Sequence, residues 1–250
     1  MISIRDPKIL LCVATLLTGL VSSAGLTGCG KSTDTNSNAP TAAVGTAASS
    51  AAAPNQSAVM PASLASLGEY GENIYDAAKA KKWTEAAAKF SALKSAIQQS
   101  SAELGKAEDK RTQLQESITS LDNAIGKREQ ATAMRVANQV TLVGSELAAS
   151  YHLKVPADVA RLDYDGRELE IWSRLNDRSK LRSTAQDMRQ TWDRLEPEVK
   201  SHNGVAEARK FGSLITQTDR AKSVAQYQRL ARPVLDEVDA LEKVFENFGH

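Results

Sequence analysis

The spacing of apolar residues is the feature that most constrains the fold of this chain. From residue 66 onward, apolar residues recur at intervals of three and four, which places them along one face of a helix. Good helix formers dominate the same region, whereas only 5% of all residues are aromatic. The sequence therefore predicts an all-α fold. The clearest run has intervals of 4, 3, 4, 3 and 4 and consists of Leu181, Ala185, Met188, Trp192, Leu195 and Val199.

Short polar segments separate these stripes, and short connections make neighbouring helices antiparallel. We predict an antiparallel helical bundle of about eight helices over residues 66–250. This number of helices allows two four-helix units, with halves 66–152 and 156–250, or one continuous array. A shift of 95 residues pairs similar residues between the halves, Gly71 with Gly166 among them, which favours a duplication.

Local signals define several helix boundaries. The first helix is predicted over 67–81, and Thr84 is predicted as the N-cap of the second helix, whose apolar stripe continues to Leu104. Pro156 should open the fifth helix, because a first-turn proline loses no helical hydrogen bond. Pro233 should kink or split the last helix.

The first 30 residues have the organisation of an export signal. Arg5 and Lys8 precede the apolar stretch Ile9–Leu20, whose 12 residues are too few to span a bilayer comfortably. The stretch is followed by small residues and then by Leu26-Thr27-Gly28-Cys29. This tetrapeptide resembles the lipobox of bacterial lipoproteins, and it lies at the position that the family requires.

The resemblance implies a signal peptide over residues 1–28, cleavage before Cys29, and attachment of lipid, including palmitate, at Cys29. It places the protein in the cell envelope, held to the membrane by that lipid. Gly30 follows the cysteine, where an Asp would mark retention in the inner membrane of a Gram-negative cell. We therefore expect the outer membrane, facing the periplasm, in a Gram-negative host, and the outer face of the cytoplasmic membrane in a Gram-positive host.

Residues 29–65 are predicted to form the acylated cysteine and a disordered tether. Ala, Ser, Thr and Pro dominate this segment, and it has almost no large apolar side chains with which to form a core. Loss of residues 1–28 leaves 29 basic and 29 acidic residues, so the mature chain is formally neutral. A neutral chain lacks the basic footprint of a nucleic-acid-binding protein, and we predict no nucleic-acid partner.

No arrangement of residues predicts a catalytic or cofactor site. His152 and His202 lie in predicted loops, His250 is the last residue, and none has a second ligand at helical spacing. Met134 and Met188 lie on apolar stripes, where methionine is usually a core residue. We therefore predict no metal site, no catalytic residue and no cofactor.

Two further features are assigned to structure rather than to ligand binding. Residues 163–170 are rich in acidic side chains but depart from the calcium-loop template, so we predict a solvated helix face. Trp172 and Trp192 lie on apolar stripes and should pack in the core, whereas Trp83 lies at a turn. Lys82–Phe90 resembles the second half of a tetratricopeptide hairpin, but no 34-residue period follows it.

These observations favour a non-enzymatic envelope lipoprotein that binds a partner protein or serves as a scaffold. The alternative is a carrier of a ligand, a metal or haem, with its site inside the bundle. In architecture, the helical region is similar to the imelysin-like lipoproteins of iron uptake. Their Gly-x-His-x-x-Glu motif does not occur here, so this resemblance extends to the fold alone. The sequence does not determine the oligomeric state.

Overall fold

The computed structural model describes residues 60–151 and 153–248. No strand occurs among them, and they form nine α-helices, one of which (α3) has only four residues. The predicted all-α bundle of about eight helices is confirmed. The helices are α1 Ala62–Lys79, α2 Trp83–Gln99, α3 Ser101–Leu104, α4 Glu108–Gly126, α5 Gln130–Ala148, α6 Ala157–Arg174, α7 Arg178–Ser201, α8 Val205–Arg220 and α9 Val224–Asn247.

The longer helices pack in two groups of four. Helices α1, α2, α4 and α5 contact one another in a ring, and helices α6, α7, α8 and α9 form a second ring. Each ring encloses its own cluster of buried apolar side chains. The two rings meet where α5 contacts α6, and Trp172 packs against both clusters. The described residues therefore consist of two joined four-helix units.

The 95-residue shift relates the beginning of the second unit to the beginning of the first. Adding 95 to the bounds of α1 gives the bounds of α6, and adding 95 to the first residue of α2 gives the first residue of α7. Pro61 and Pro156 are the N-caps of α1 and α6. Lys81 follows α1 and Asn176 follows α6, with φ values of 57° and 55°. Both helices are therefore followed, at equivalent positions, by a residue in the left-handed backbone conformation.

Helices α1 and α5 approach each other closely through residues without bulky side chains. A Cβ atom built on Gly71 would lie 2.6 Å from Thr141 Oγ1 and 2.8 Å from the carbonyl oxygen of Ala137. A Cβ atom on Gly144 would lie 2.8 Å from the backbone nitrogen of Gly68. Glycine at positions 71 and 144 is therefore a packing requirement of the first unit.

Helix α1 begins earlier than predicted, at Ala62, so residues 62–65 are helical and do not belong to a tether. The sequence of residues 62–65 does not reveal this turn, because small side chains predominate in it as they do in the preceding segment. Leu64 and Leu67 are 2% and 0% exposed in the first core, and burying both favours the additional turn of helix.

Three other boundary predictions were wrong. Helix α2 begins at Trp83 rather than after a cap at Thr84, and Lys82 stands at the N-cap position without a side-chain hydrogen bond. The helix ends at Gln99, before Leu104, which lies in α3. Helix α9 continues from Val224 to Asn247 with Pro233 inside it, so the predicted split does not occur.

Several predictions fall outside the described residues. They are the signal peptide, Cys29, the tether up to residue 59, and the histidines His152 and His250. Within the described ranges, no helix combines the length and the apolar character needed to cross a bilayer.

The two glycines of α1 should respond in opposite ways to a methyl group. Gly71→Ala places its Cβ against the backbone of α5 and should lower the free energy of unfolding by about 1–3 kcal/mol. Gly68→Ala meets no atom within 4 Å and should raise it by about 0.5–1 kcal/mol, because alanine favours the helix. Urea unfolding of both variants measures the difference. Equal effects at the two positions would contradict the close α1–α5 approach.

Candidate functional site

The charged residues of α6 are buried, so the predicted solvated face over residues 163–170 is wrong. Asp163, Asp165, Arg167 and Glu168 are only 6%, 1%, 2% and 7% exposed. These residues are buried because α6 packs against α5, α7 and α9, and its side chains also contact α1. A helix that is enclosed on several sides buries its polar residues along with its apolar ones.

Arg167 is the centre of the contact between α6 and α1. Its Nη1 lies 2.6 Å from Asp163 Oδ2 on the same helix, and its Nη2 lies 3.5 Å from Glu72 Oε2 on α1. The guanidinium also lies 5.4 Å from the ring centroid of Tyr75. Burial acts to lower the pKa of Arg167, but Asp163 and Glu72 outweigh it and raise that pKa.

Glu170 makes the second contact between these helices. Its Oε2 accepts hydrogen bonds from Tyr75 Oη at 3.1 Å and from Lys79 Nζ at 2.5 Å, and its Oε1 accepts one from Arg174 at 3.1 Å. Burial acts to raise the pKa of Glu170, but the hydrogen bonds led by that from Lys79 lower it below its usual value. Glu170 is therefore a charged acceptor that holds α6 to α1.

The α1–α6 contact joins equivalent positions of the two units. Arg167 occupies the position that corresponds to Glu72 at the 95-residue shift, and Glu170 occupies the one that corresponds to Tyr75. Contacts between equivalent positions are what an approximate two-fold axis between parallel helices produces. Two identical units would place like charges together at such an axis, whereas this chain places complementary groups there.

The opposite side of α6 is bound to α5 by hydrogen bonds. Asn138 Nδ2, on α5, donates to Glu168 Oε1 at 2.9 Å and to the carbonyl oxygen of Tyr164 at 3.1 Å. Trp172 Nε1 donates to the other carboxylate oxygen of Glu168. Burial raises the pKa of Glu168 despite these donors. Glu168 Oε1 therefore links α6 to α5, whereas the other carboxylate oxygen is bonded by Trp172 within α6.

Asp165 is a buried member of the network with an incompletely satisfied carboxylate. Its Oδ2 has no hydrogen-bond partner among the described residues, and its Oδ1 lies 4.0 Å from Arg161 Nε. Burial raises the pKa of Asp165 well above its usual value, although Arg161 opposes the shift. Burial therefore favours the protonated, neutral form of the Asp165 side chain relative to an aspartate in water.

Acidic side chains face one another where α9 approaches α1 and α6. Glu242, on α9, faces Glu72 of α1, Asp163 of α6, and Asp239 and Glu246 of its own helix. Burial and the negative charge of Asp163 and Glu72 raise the pKa of Glu242 to about 7. This side of the α1–α6 pair is therefore acidic, whereas the side toward α5 is hydrogen-bonded.

The other residues singled out in the sequence have structural roles. Met134 and Met188 are both 0% exposed, one in each core, and Trp192 is buried in the second core. Trp83 is partly buried and packs against the first core. His202 follows α7, and its Nδ1 lies 2.8 Å from the carbonyl oxygen of Glu198, within one turn of the chain.

A groove of about 410 Å³ lies between α1 and α2, away from the α6 network. Six of its eight lining residues are alanine or serine, so its walls are shallow and carry no formal charge. The residues that line it are Ala62, Ser63, Ser66, Tyr70, Ala92, Ser95, Ala96 and Gln99.

The α6 network therefore acts as a polar connection between the two units. Sequence reasoning missed its members on other helices, such as Glu72, Tyr75 and Asn138. Opposite charges four residues apart on α6, Asp163 with Arg167 and Arg161 with Asp165, are compatible with burial but are equally typical of an exposed helix face. Such pairs can remain charge-compensated after burial.

No known family model, curated protein or solved structure matches this chain. Over residues 60–151 and 153–248, no group of three or more His, Cys, Asp or Glu side chains is placed to hold a metal ion. The function is therefore inferred from the chain's own residues.

Buried and exposed ion pairs of this protein should differ in their contribution to stability, and Arg167 and Arg232 allow the comparison. Arg167→Met removes the buried cation that lies 2.6 Å from Asp163 and should lower the free energy of unfolding by about 3 kcal/mol. Arg232→Met breaks a pair with Asp236 whose side chains are 61% and 52% exposed, and should cost less than about 0.5 kcal/mol. Urea unfolding at neutral pH compares them. Adding Asp163→Leu to Arg167→Met should recover part of the loss, and no recovery would argue against the broken Arg167–Asp163 pair as its cause.

Glu242 should make stability depend on pH. Its folded pKa of about 7 lies above the usual 4.5, so its contribution is complete below pH 4.5 and is lost as the pH rises through 7. Glu242→Gln should therefore raise the free energy of unfolding at pH 8 by about 1–3 kcal/mol and leave it unchanged at pH 4.

Thermal unfolding across this pH range is the measurement, and Glu116→Gln, an exposed change on α4, is the control. A Glu242→Gln effect that is independent of pH would show that Glu242 is not held in the proposed acidic surroundings.

Proposed function

We propose that this chain is a lipid-anchored cell-envelope lipoprotein, and that its double bundle is a non-enzymatic scaffold that binds a partner protein. The anchor rests on Leu26-Thr27-Gly28-Cys29, which follows an apolar stretch of signal-peptide length. Lipid on Cys29 holds the protein at the outer membrane facing the periplasm in a Gram-negative host, or at the outer face of the cytoplasmic membrane in a Gram-positive one. Residues 30–61 then connect the anchor to α1.

The scaffold part of the proposal is supported by the α6 network. Arg167 and Glu170 join α6 to α1, and Glu168 joins α6 to α5, so the second unit is connected to two helices of the first. Charged hydrogen bonds with defined directions restrict the two units to one arrangement more than apolar packing alone does. A scaffold requires that kind of fixed geometry.

The groove between α1 and α2 is the single observation on which partner binding rests. Its small residues allow the backbone of an added helix to approach closely, as in helix-in-groove recognition. None of the buried carboxylates of α6 lines it, and its polar groups are hydroxyls and an amide. Such a surface suits an apolar partner helix better than it suits acid–base chemistry.

The test uses the full-length chain in growing cells. Labelled palmitate should enter the wild-type protein and be absent from Cys29→Ser, because the thiol is the acceptor. A photo-crosslinking residue at Ser95, in the groove, should capture one dominant membrane or envelope protein, whereas the same residue at Ser213, exposed on α8, should not. Ser66→Trp should fill the groove and prevent capture, and Ser213→Trp should leave it unchanged.

Mass spectrometry of the purified lipoprotein identifies the crosslinked protein and any bound metal or pigment. Equal capture from both positions, or capture that survives Ser66→Trp, would contradict groove binding. A stoichiometric metal, haem or small molecule without a protein partner would support the carrier alternative instead.

A further inference from the structure

The direction of each helix assigns every loop to one of two ends of the double bundle. Ser63 bonds Ser100, so α1 begins where α2 ends, and Lys110 pairs with Glu146, so α4 begins where α5 ends. Arg161 near the start of α6 reaches the same Glu146. Helices α1, α4 and α6 therefore begin at one end, which we call the Met60 end.

The second unit follows the same pattern. Arg194, late in α7, pairs with Asp158 in the first turn of α6. The ring of His202, after α7, lies 4.2 Å from that of Phe248, after α9. The α7–α8 loop and the last residues of α9 thus also lie at the Met60 end. The opposite end, which carries the α6–α7 loop, is called the Asn176 end.

Exposed apolar side chains are concentrated at the Met60 end. Among the described residues, the exposed large hydrophobic side chains are Leu153 at 36%, Leu175 at 47%, Val205 at 61% and Phe248 at 44%. Leu153, Val205 and Phe248 lie at the Met60 end, and Leu175 lies at the other. Met60 itself, where the preceding chain arrives, belongs to the same end.

We propose that the Met60 end rests on the bilayer surface, with Leu153, Val205 and Phe248 inserted among the lipid headgroups. This inference rests on the proposed lipid at Cys29, which 30 residues separate from Met60. Thirty residues span at most about 100 Å even when fully extended, so a lipid on Cys29 keeps the Met60 end close to the bilayer. Contacts too weak to bind a free protein then suffice.

Charge does not drive this contact. Charges of both signs flank the apolar side chains along the chain, for example Lys200 and Glu207 on either side of the α7–α8 loop. A basic surface would bind anionic lipid and release it in salt. Contact through Leu153, Val205 and Phe248 should instead persist at high salt, since burial of apolar surface is its source.

The experiment compares two exposed serines at opposite ends of α7. Ser201 lies at the Met60 end and Ser179 at the Asn176 end, separated by about 33 Å of helix. With Cys29 acylated and Cys12 removed, an introduced cysteine at either position is the sole thiol. Each full-length lipoprotein, Ser201→Cys or Ser179→Cys, carries an environment-sensitive dye and is reconstituted into phosphatidylethanolamine–phosphatidylglycerol vesicles with or without brominated acyl chains.

Brominated lipid should quench the dye at 201 about threefold more strongly than the dye at 179, and high salt should not change this ratio. The triple change Leu153→Ser, Val205→Ser and Phe248→Ser should bring quenching at 201 down to the level at 179. Leu175→Ser, which removes the exposed apolar residue at the other end, is the matched control and should have no effect. Circular dichroism confirms that each variant is folded.

Equal quenching at both positions, or quenching at 201 that survives the triple change, would overturn the proposal. The proposal would also be overturned if the dye at 201 became less accessible to water as the protein density on the vesicles rose, equally with and without brominated lipid. That result would mean that the Met60 end contacts a second copy of the chain. Failure of acylation at Cys29 is seen separately, as loss of vesicle association and a second labelled thiol, and would refute the proposed anchor.

Discussion

The ion pair that Arg167 forms with Asp163 and Glu72 is the interaction on which the relation of the two units depends. It lies between parallel helices, at positions that correspond to each other in the repeated unit. Identical units would bring two like side chains together there. Arginine opposite glutamate, and glutamate opposite tyrosine one turn later, convert that contact into an attraction. The two units of this chain are therefore complementary rather than interchangeable.

The two sides of this central pair differ in chemistry. Toward α5, Asn138 and Trp172 donate hydrogen bonds to Glu168, and the apolar cores of both units meet at Trp172. Toward α9, Glu242 faces other carboxylates, and its neutral form is favoured up to about pH 7. The chain thus combines a hydrogen-bonded seam toward α5 with an acidic seam toward α9 whose repulsion grows as the pH rises. Because both seams share α6, a change on the acidic side acts on the helix that connects the units.

The sequence predicted the cores well and the charged network poorly, for one physical reason. Apolar periodicity reports which face of a helix is buried, and it placed Leu181, Met188 and Trp192 correctly. It assumes, however, that the remaining faces are solvated. Asp163 and Arg167 are an ordinary exposed pair by spacing, and their burial depends on α1, which lies 95 residues away in the chain. Nothing local to residues 163–170 distinguishes the two situations.

The sequence by itself determined the all-α class, the number of about eight helices, the start of α6 beside Pro156, and many of the apolar residues that form the cores. These follow from local spacing and from backbone preferences of a few residues. Only the tertiary structure decided that the halves form two rings, that glycine at 71 touches the backbone of α5, and that the charges of α6 are buried. Those outcomes depend on which helix faces which, and that choice is made by the packing free energy of the whole unit rather than by any single segment.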